Sequence, residues 1–101
     1  MITGQTVLSQ HPDVATRTVD GRAVAIRPPL SNEPPKILTF NETGTIIWDL
    51  LDGRTPVAAI LAHLVDLYPG IPAERRERET LSLLEQLLAM DMITVPQEVV
   101  S

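Results

Sequence analysis

Apolar positions along the chain recur with two different spacings, and the change from one to the other falls near Asn41. Before that point the spacing is two. Arg22 to Arg27 alternates, with Val24 and Ile26 on one face and Ala23 and Ala25 on the other. Asp13 to Val19 carries the strand-forming residues Val14, Thr16, Thr18 and Val19. Between them lies Asp20-Gly21, a pair that meets the positive-φ demand of a tight two-residue turn. These residues predict a β-hairpin. Pro28-Pro29 and Pro34-Pro35 then bracket a loop, because proline cannot donate to a strand ladder. Lys36 to Phe40 resumes as a short third strand. A short strand bounded by prolines reads as a sheet edge.

After Asn41 the period becomes helical. Asn41 is a suitable N-cap for a first helix running to Leu51, with Ile46, Ile47, Leu50 and Leu51 on its apolar face. Gly53 follows where a left-handed residue is expected after a helix. Thr55-Pro56 pairs an N-cap with a proline at the first helical position. Val57, Ile60, Leu61, Leu64, Val65 and Tyr68 then make an amphipathic second helix, ended by Pro69-Gly70. Pro72 opens a third helix running to Met90. Ile93 to Val95 is a short β-like segment closed by Pro96. Residues 1–12 are polar and aperiodic and read as a flexible N-terminal tail, 13–95 as the domain, and 96–101 as a C-terminal tail.

The third helix is wider in its apolar surface than one contact requires. Leu81, Leu84 and Leu88 form one stripe, and Leu83, Leu87 and Met90 form another. Together they cover about half the circumference, against the roughly 100° that a single core contact uses. Either the helix is covered on two sides, or one stripe faces the core while the other lines a groove. Its first turns read Glu74-Arg75-Arg76-Glu77-Arg78-Glu79, a mixed-sign face with pairs at i, i+4.

Composition narrows the chemistry. The 101 residues suffice for one domain, and hydrophobic residues at 44% with charged residues at 21% describe a globular chain. Aromatics are scarce, so the core is aliphatic around Phe40, Trp48 and Tyr68. The net charge of −5 argues against nucleic acid. The absence of cysteine excludes disulfides, thiolate metal sites and cysteine nucleophiles. Met1 to Gln10 shows no basic cluster leading into an apolar run, so no secretory signal is expected, and no segment reads as a membrane span. The expected location is cytoplasmic. His11 and His63 lack spaced ligand partners, so no metal is expected. Ser9, His11 and Asp13 include the residue types of a triad but are too close in sequence to converge as one. No phosphate-binding glycine loop is present. The chain reads as a non-enzyme without a cofactor.

The segment Leu38 to Gly53, LTFNETGTIIWDLLDG, resembles the signature of PqqD-like proteins. The likeness rests on an apolar strand ending in Phe40-Asn41, then Glu42-Thr43-Gly44, then Trp48 within a helix that ends in Leu51-Asp52-Gly53. It continues through Thr55 to Tyr68 and the Leu-rich third helix, covering Pro12 to Val95. The stretch from Pro28 to Pro35 departs from the family's shorter link between strands.

That family is the recognition element for precursors of ribosomally made, modified peptides, with a namesake in pyrroloquinoline quinone (PQQ) biosynthesis. The resemblance implies an α+β, winged-helix-like fold, with a three-stranded antiparallel sheet followed by three helices. It implies a peptide chaperone that binds the leader of a precursor peptide and presents it to a modifying enzyme, often a radical S-adenosylmethionine enzyme. In the family the leader adds as a strand to the third strand and rests against the third helix. Carried onto this chain, that implicates Ile37, Leu38, Thr39 and Phe40, with Arg76, Glu77, Thr80, Leu81, Leu84 and Leu88. Peptide addition to a sheet edge gains affinity from main-chain hydrogen bonds and specificity from side-chain pockets. Arg76 and Arg78 are suited to acidic leader residues. A homodimer is the other way such an edge becomes covered. The competing readings are a winged-helix DNA-binding protein, whose recognition helix is expected to be basic, and a structural adaptor that docks on an enzyme. No membrane partner is expected.

Overall fold

A computed structural model describes residues 2–29 and 31–96. The C-terminal tail expected from residue 96 onward lies almost wholly outside them. The chain is α+β, as expected, with antiparallel sheets and three helices. Its strands form two three-stranded sheets where one was expected.

The first sheet holds β1 (Val7–Gln10), β5 (Asp52–Pro56) and β6 (Ile93–Thr94), in the order β5-β1-β6. The central strand therefore comes from the segment read as a flexible tail. Four residues with a single fully buried side chain, Leu8, are too short to show alternation, and their stability comes from partners far away in sequence. Gln10 donates its side-chain amide to the Trp48 carbonyl at 2.9 Å. The carbonyls of Gly4 and Thr6 accept the first N–H groups of α2 (Val57–Leu67), from Ala58 at 2.8 Å and Val57 at 2.9 Å.

The second sheet holds β2 (Ala15–Val19), β3 (Arg22–Arg27) and β4 (Lys36–Thr39), in the order β2-β3-β4. Asp20 and Gly21 take φ of 52° and 79°, so the hairpin turn is as read. The buried face of β3 is the alanine face. Ala23 and Ala25 are covered while Val24 and Ile26 are half-exposed. Small residues there let α1 (Glu42–Leu50) lie close, and Thr45 Oγ1 accepts the Ala23 N–H at 2.9 Å.

Asn41 caps α1 as expected, its side chain accepting from the Gly44 N–H at 2.7 Å. Gly53 has φ of 79°, yet it does not directly follow the helix. Leu51 closes α1, and Gly53 turns the chain within β5. Thr55 is likewise not an N-cap. It lies in β5 with its hydroxyl on the Asp52 carboxylate at 3.1 Å, and Pro56 takes the cap position without a side-chain bond. Proline's fixed φ still stops the strand there. The third helix, α3 (Ala73–Ala89), starts after Pro72 and ends before Met90.

Candidate functional site

The strand β4 is an edge. Among the described residues it pairs with β3 alone, in the register Leu38↔Ala25 and Lys36↔Arg27. The Phe40 N–H bonds the Ala23 carbonyl at 2.9 Å, which fixes the phase of the ladder. Antiparallel partners alternate between bonded and unbonded pairs. Phe40, Leu38 and Lys36 therefore direct their backbone groups toward β3. Ile37 and Thr39 direct theirs outward, where no described backbone group meets them. The outward groups thus belong to the neighbours of Leu38.

Beside this edge lies a cleft of about 300 Å³. Leu38, Thr39 and Phe40 line one side, and Thr43, Gly44 and Ile47 of α1 form its base. Arg76, Glu79, Thr80 and Leu83 of α3 form the facing wall. Gly44 matters to this shape. A Cβ there would stand 3.1 Å from Phe40 Cδ1 and 3.1 Å from Asn41 Oδ1, so the bare backbone lets the end of β4 fold tightly onto the helix start.

Arg76 is 4% exposed and Thr80 is 1% exposed. They stand at i and i+4 and so share one face of α3. The Arg76 guanidinium carbon lies 5.1 Å from the centroid of the Tyr68 ring, a cation–π arrangement. The Tyr68 hydroxyl donates in turn to a Glu42 carboxylate oxygen at 3.4 Å. Arg76 Nε and Thr80 Oγ1 are buried with no hydrogen-bond partner. The ion pairs found among the described residues are His11–Asp13 and Arg75–Glu79, so Arg76 has no carboxylate of its own.

Of the residues expected at the site, the structure brings Leu38, Thr39, Phe40, Arg76 and Thr80 together on the cleft. Ile37 is 59% exposed and its side chain belongs to the opposite face of the sheet. The other expected residues of α3 do not line the cleft. Glu77 is exposed, Leu84 is fully buried, and Leu81 and Leu88 are half-buried against the core. The core stripe of α3 runs Arg76, Thr80, Leu84, Leu87, so it draws on both leucine stripes read from the sequence. Leu83 and Glu79 take the groove positions instead. Their signal in the sequence was only the width of the apolar arc and the i, i+4 pairing. Ile47 was read only as part of the apolar face of the first helix, and Thr43 only within the Glu42-Thr43-Gly44 stretch.

The remaining titratable candidates lie elsewhere. His11 Nδ1 accepts the Asp13 N–H at 3.0 Å, which makes it a local turn acceptor. Ser9 Oγ donates to the adjacent Gln10 carbonyl at 3.3 Å and not to His11. His63 is exposed on α2. Backbone N–H bonds from Arg54 and Thr55 hold the Asp52 carboxyl below the usual aspartate range, in the turn of β5 and away from the cleft. Among the described residues no cluster of three or more acidic or histidine side chains stands where it could hold a metal ion. Among the described residues no helix is long and apolar enough to cross a membrane.

Among the described residues, a free sheet edge beside a helix-walled cleft sets the architecture of this small α+β domain. The chain matches the family described as coenzyme PQQ synthesis protein D (PqqD) over residues 30–93, and it belongs to that family. The match spans β4, the cleft and all three helices. Membership places the chain in the biosynthesis of PQQ and related modified peptides, among proteins that accompany a modifying enzyme. No curated protein and no solved structure matches the chain.

Proposed function

We propose that this domain is a non-catalytic peptide chaperone. It takes the leader of a ribosomally made precursor peptide as an added strand on β4 and presents the precursor to a modifying enzyme. A radical S-adenosylmethionine enzyme is the class that the family resemblance points to. The setting is the cytoplasm, where such precursors are synthesised.

One observation carries the reading. The outward backbone groups of Ile37 and Thr39 are unused, and they border a cleft that side chains of an added strand can enter. An edge left open in this way is an aggregation hazard unless a partner covers it. Family membership supplies the kind of partner. The DNA-binding alternative has less behind it. α3 carries four glutamates against three arginines, and its most buried charge, Arg76, points no exposed fork at a groove.

The test is titration of the isotope-labelled domain with synthetic leader segments of candidate precursor peptides, read by amide chemical shifts. Shifts confined to β4 and the cleft wall of α3 are expected. Tight binding that leaves the amides of Ile37 and Thr39 unmoved overturns the reading.

A further inference from the structure

The cleft contains a charge that the fold does not neutralise. A buried guanidinium is costly unless it is paired and hydrogen-bonded. Among the described residues Arg76 has the face of Tyr68 and no hydrogen-bonding or ionic partner, although it stands in a helix rich in glutamate. The carboxylate among the lining residues, Glu79, is held by Arg75 Nε at 2.8 Å. Glu42 is engaged by the Tyr68 hydroxyl. One turn from Arg76, the Thr80 hydroxyl is also without a partner. A cation and a hydroxyl donor on one helical face, both lining the same cleft and both unsatisfied, form a receptor for a single anion.

We infer that Arg76 and Thr80 receive the carboxylate of one aspartate or glutamate side chain on the strand added to β4. This rests on the peptide-binding reading above and specifies its ligand chemistry. The residue enters at the Phe40 end of the edge, because Phe40 and Arg76 line the same cleft while Lys36 lies at the other end of β4. Arg78 takes no part: it is exposed and does not line the cleft. The carboxylate replaces the missing counter-ion, and the guanidinium fork and the hydroxyl give it a fixed position. Leu38, Ile47 and Leu83 add apolar lining to the same cleft, which fits an acidic residue with an aliphatic neighbour.

The experiment selects a display library of random peptides, about nine residues long, on the intact chain. Binders are sorted by whether they shift the amides of Ile37 and Thr39. The expected result is that edge-binding peptides carry Asp or Glu at one fixed position. Exchange of that residue for its amide, or Arg76→Gln in the protein, then weakens binding roughly ten- to a hundredfold, and the two changes together cost no more than either alone. Circular dichroism checks the variant's fold. Arg76→Lys, which keeps the charge and loses the fork, serves in its place should glutamine not be tolerated, with a smaller loss expected. Edge-binding peptides with no acidic position, or with undiminished affinity for the Arg76 variants, overturn this inference and leave the peptide-binding reading standing. A selection that yields no edge-binding peptide overturns both.

Discussion

Phe40 stacks on Trp48, with ring centroids 5.1 Å apart and planes inclined by 27°. The contact ties the last residue of the edge segment to the last turn of α1, so the cleft rim is fastened to the core. Trp48 is fully buried, and its indole N–H donates to Thr16 Oγ1 at 2.9 Å, which also fastens β2. Trp48→Ala is therefore expected to cost roughly 3–5 kcal/mol, a large share of the stability of a small domain. Thr16→Val keeps the shape and orphans the indole donor, at about 1–3 kcal/mol. Urea denaturation measures both. A Trp48→Ala protein with an unchanged midpoint contradicts the assignment of this ring to the core.

Proline distinguishes the paired side of β4 from its open side. The Thr39 N–H points away from β3, so Thr39→Pro removes a donor that the fold itself does not use. The Leu38 N–H belongs to the β3 ladder, and Leu38→Pro removes a bond the sheet needs. Thr39→Pro is expected to lower leader affinity at least tenfold, with a smaller drop in melting temperature than Leu38→Pro. Equal effects of the two substitutions on melting would show that the ladder phase is wrong.

The leucines of α3 divide in the same way. Leu84 has no exposed surface, so Leu84→Glu places a carboxylate in the core, and the domain is expected to unfold. Leu83 lines the cleft and is only half-buried. Leu83→Glu is expected to leave circular dichroism and the cooperative melt in place while abolishing peptide binding, since it adds a second negative charge beside Glu79. Retained binding by Leu83→Glu would remove this wall from the site.

That division shows what could be read from the residues alone. The width of the leucine arc was legible, because periodicity is a local property, and it left open whether α3 is covered on two sides or lines a cleft on one. Which leucine does which job depends on the angle at which α3 crosses the sheets, and no local pattern encodes that angle. The edge character of β4 was legible for a similar reason: prolines limit pairing wherever they occur. β1 was not legible. Its only core side chain is Leu8, and its partners β5 and β6 lie far along the chain. Arg76 was legible as a charge on α3 but not as a buried one. Its neighbours Arg75 and Arg78 have the same composition and both are exposed.

The last expectation concerns acid. The Asp52 carboxylate accepts N–H bonds from Arg54 at 2.8 Å and Thr55 at 2.9 Å, and its pKa is lowered by these bonds. An unfolded chain lacks them, so the unfolded state binds a proton more readily than the folded one. Stability from this group is therefore fully present above the ordinary aspartate pKa and is lost as pH falls through the lower folded value. Asp52 is solvent-exposed, so the contribution is small. Asp52→Asn is expected to flatten the acid limb of a melting-temperature profile while leaving the neutral region close to unchanged. The β5 turn that the carboxylate organises carries Gly53 at φ of 79°, and Asn keeps the acceptor oxygen needed to hold it. An identical acid limb in the two proteins would mean that the turn gives the Asp52 carboxylate no preference for its charged form.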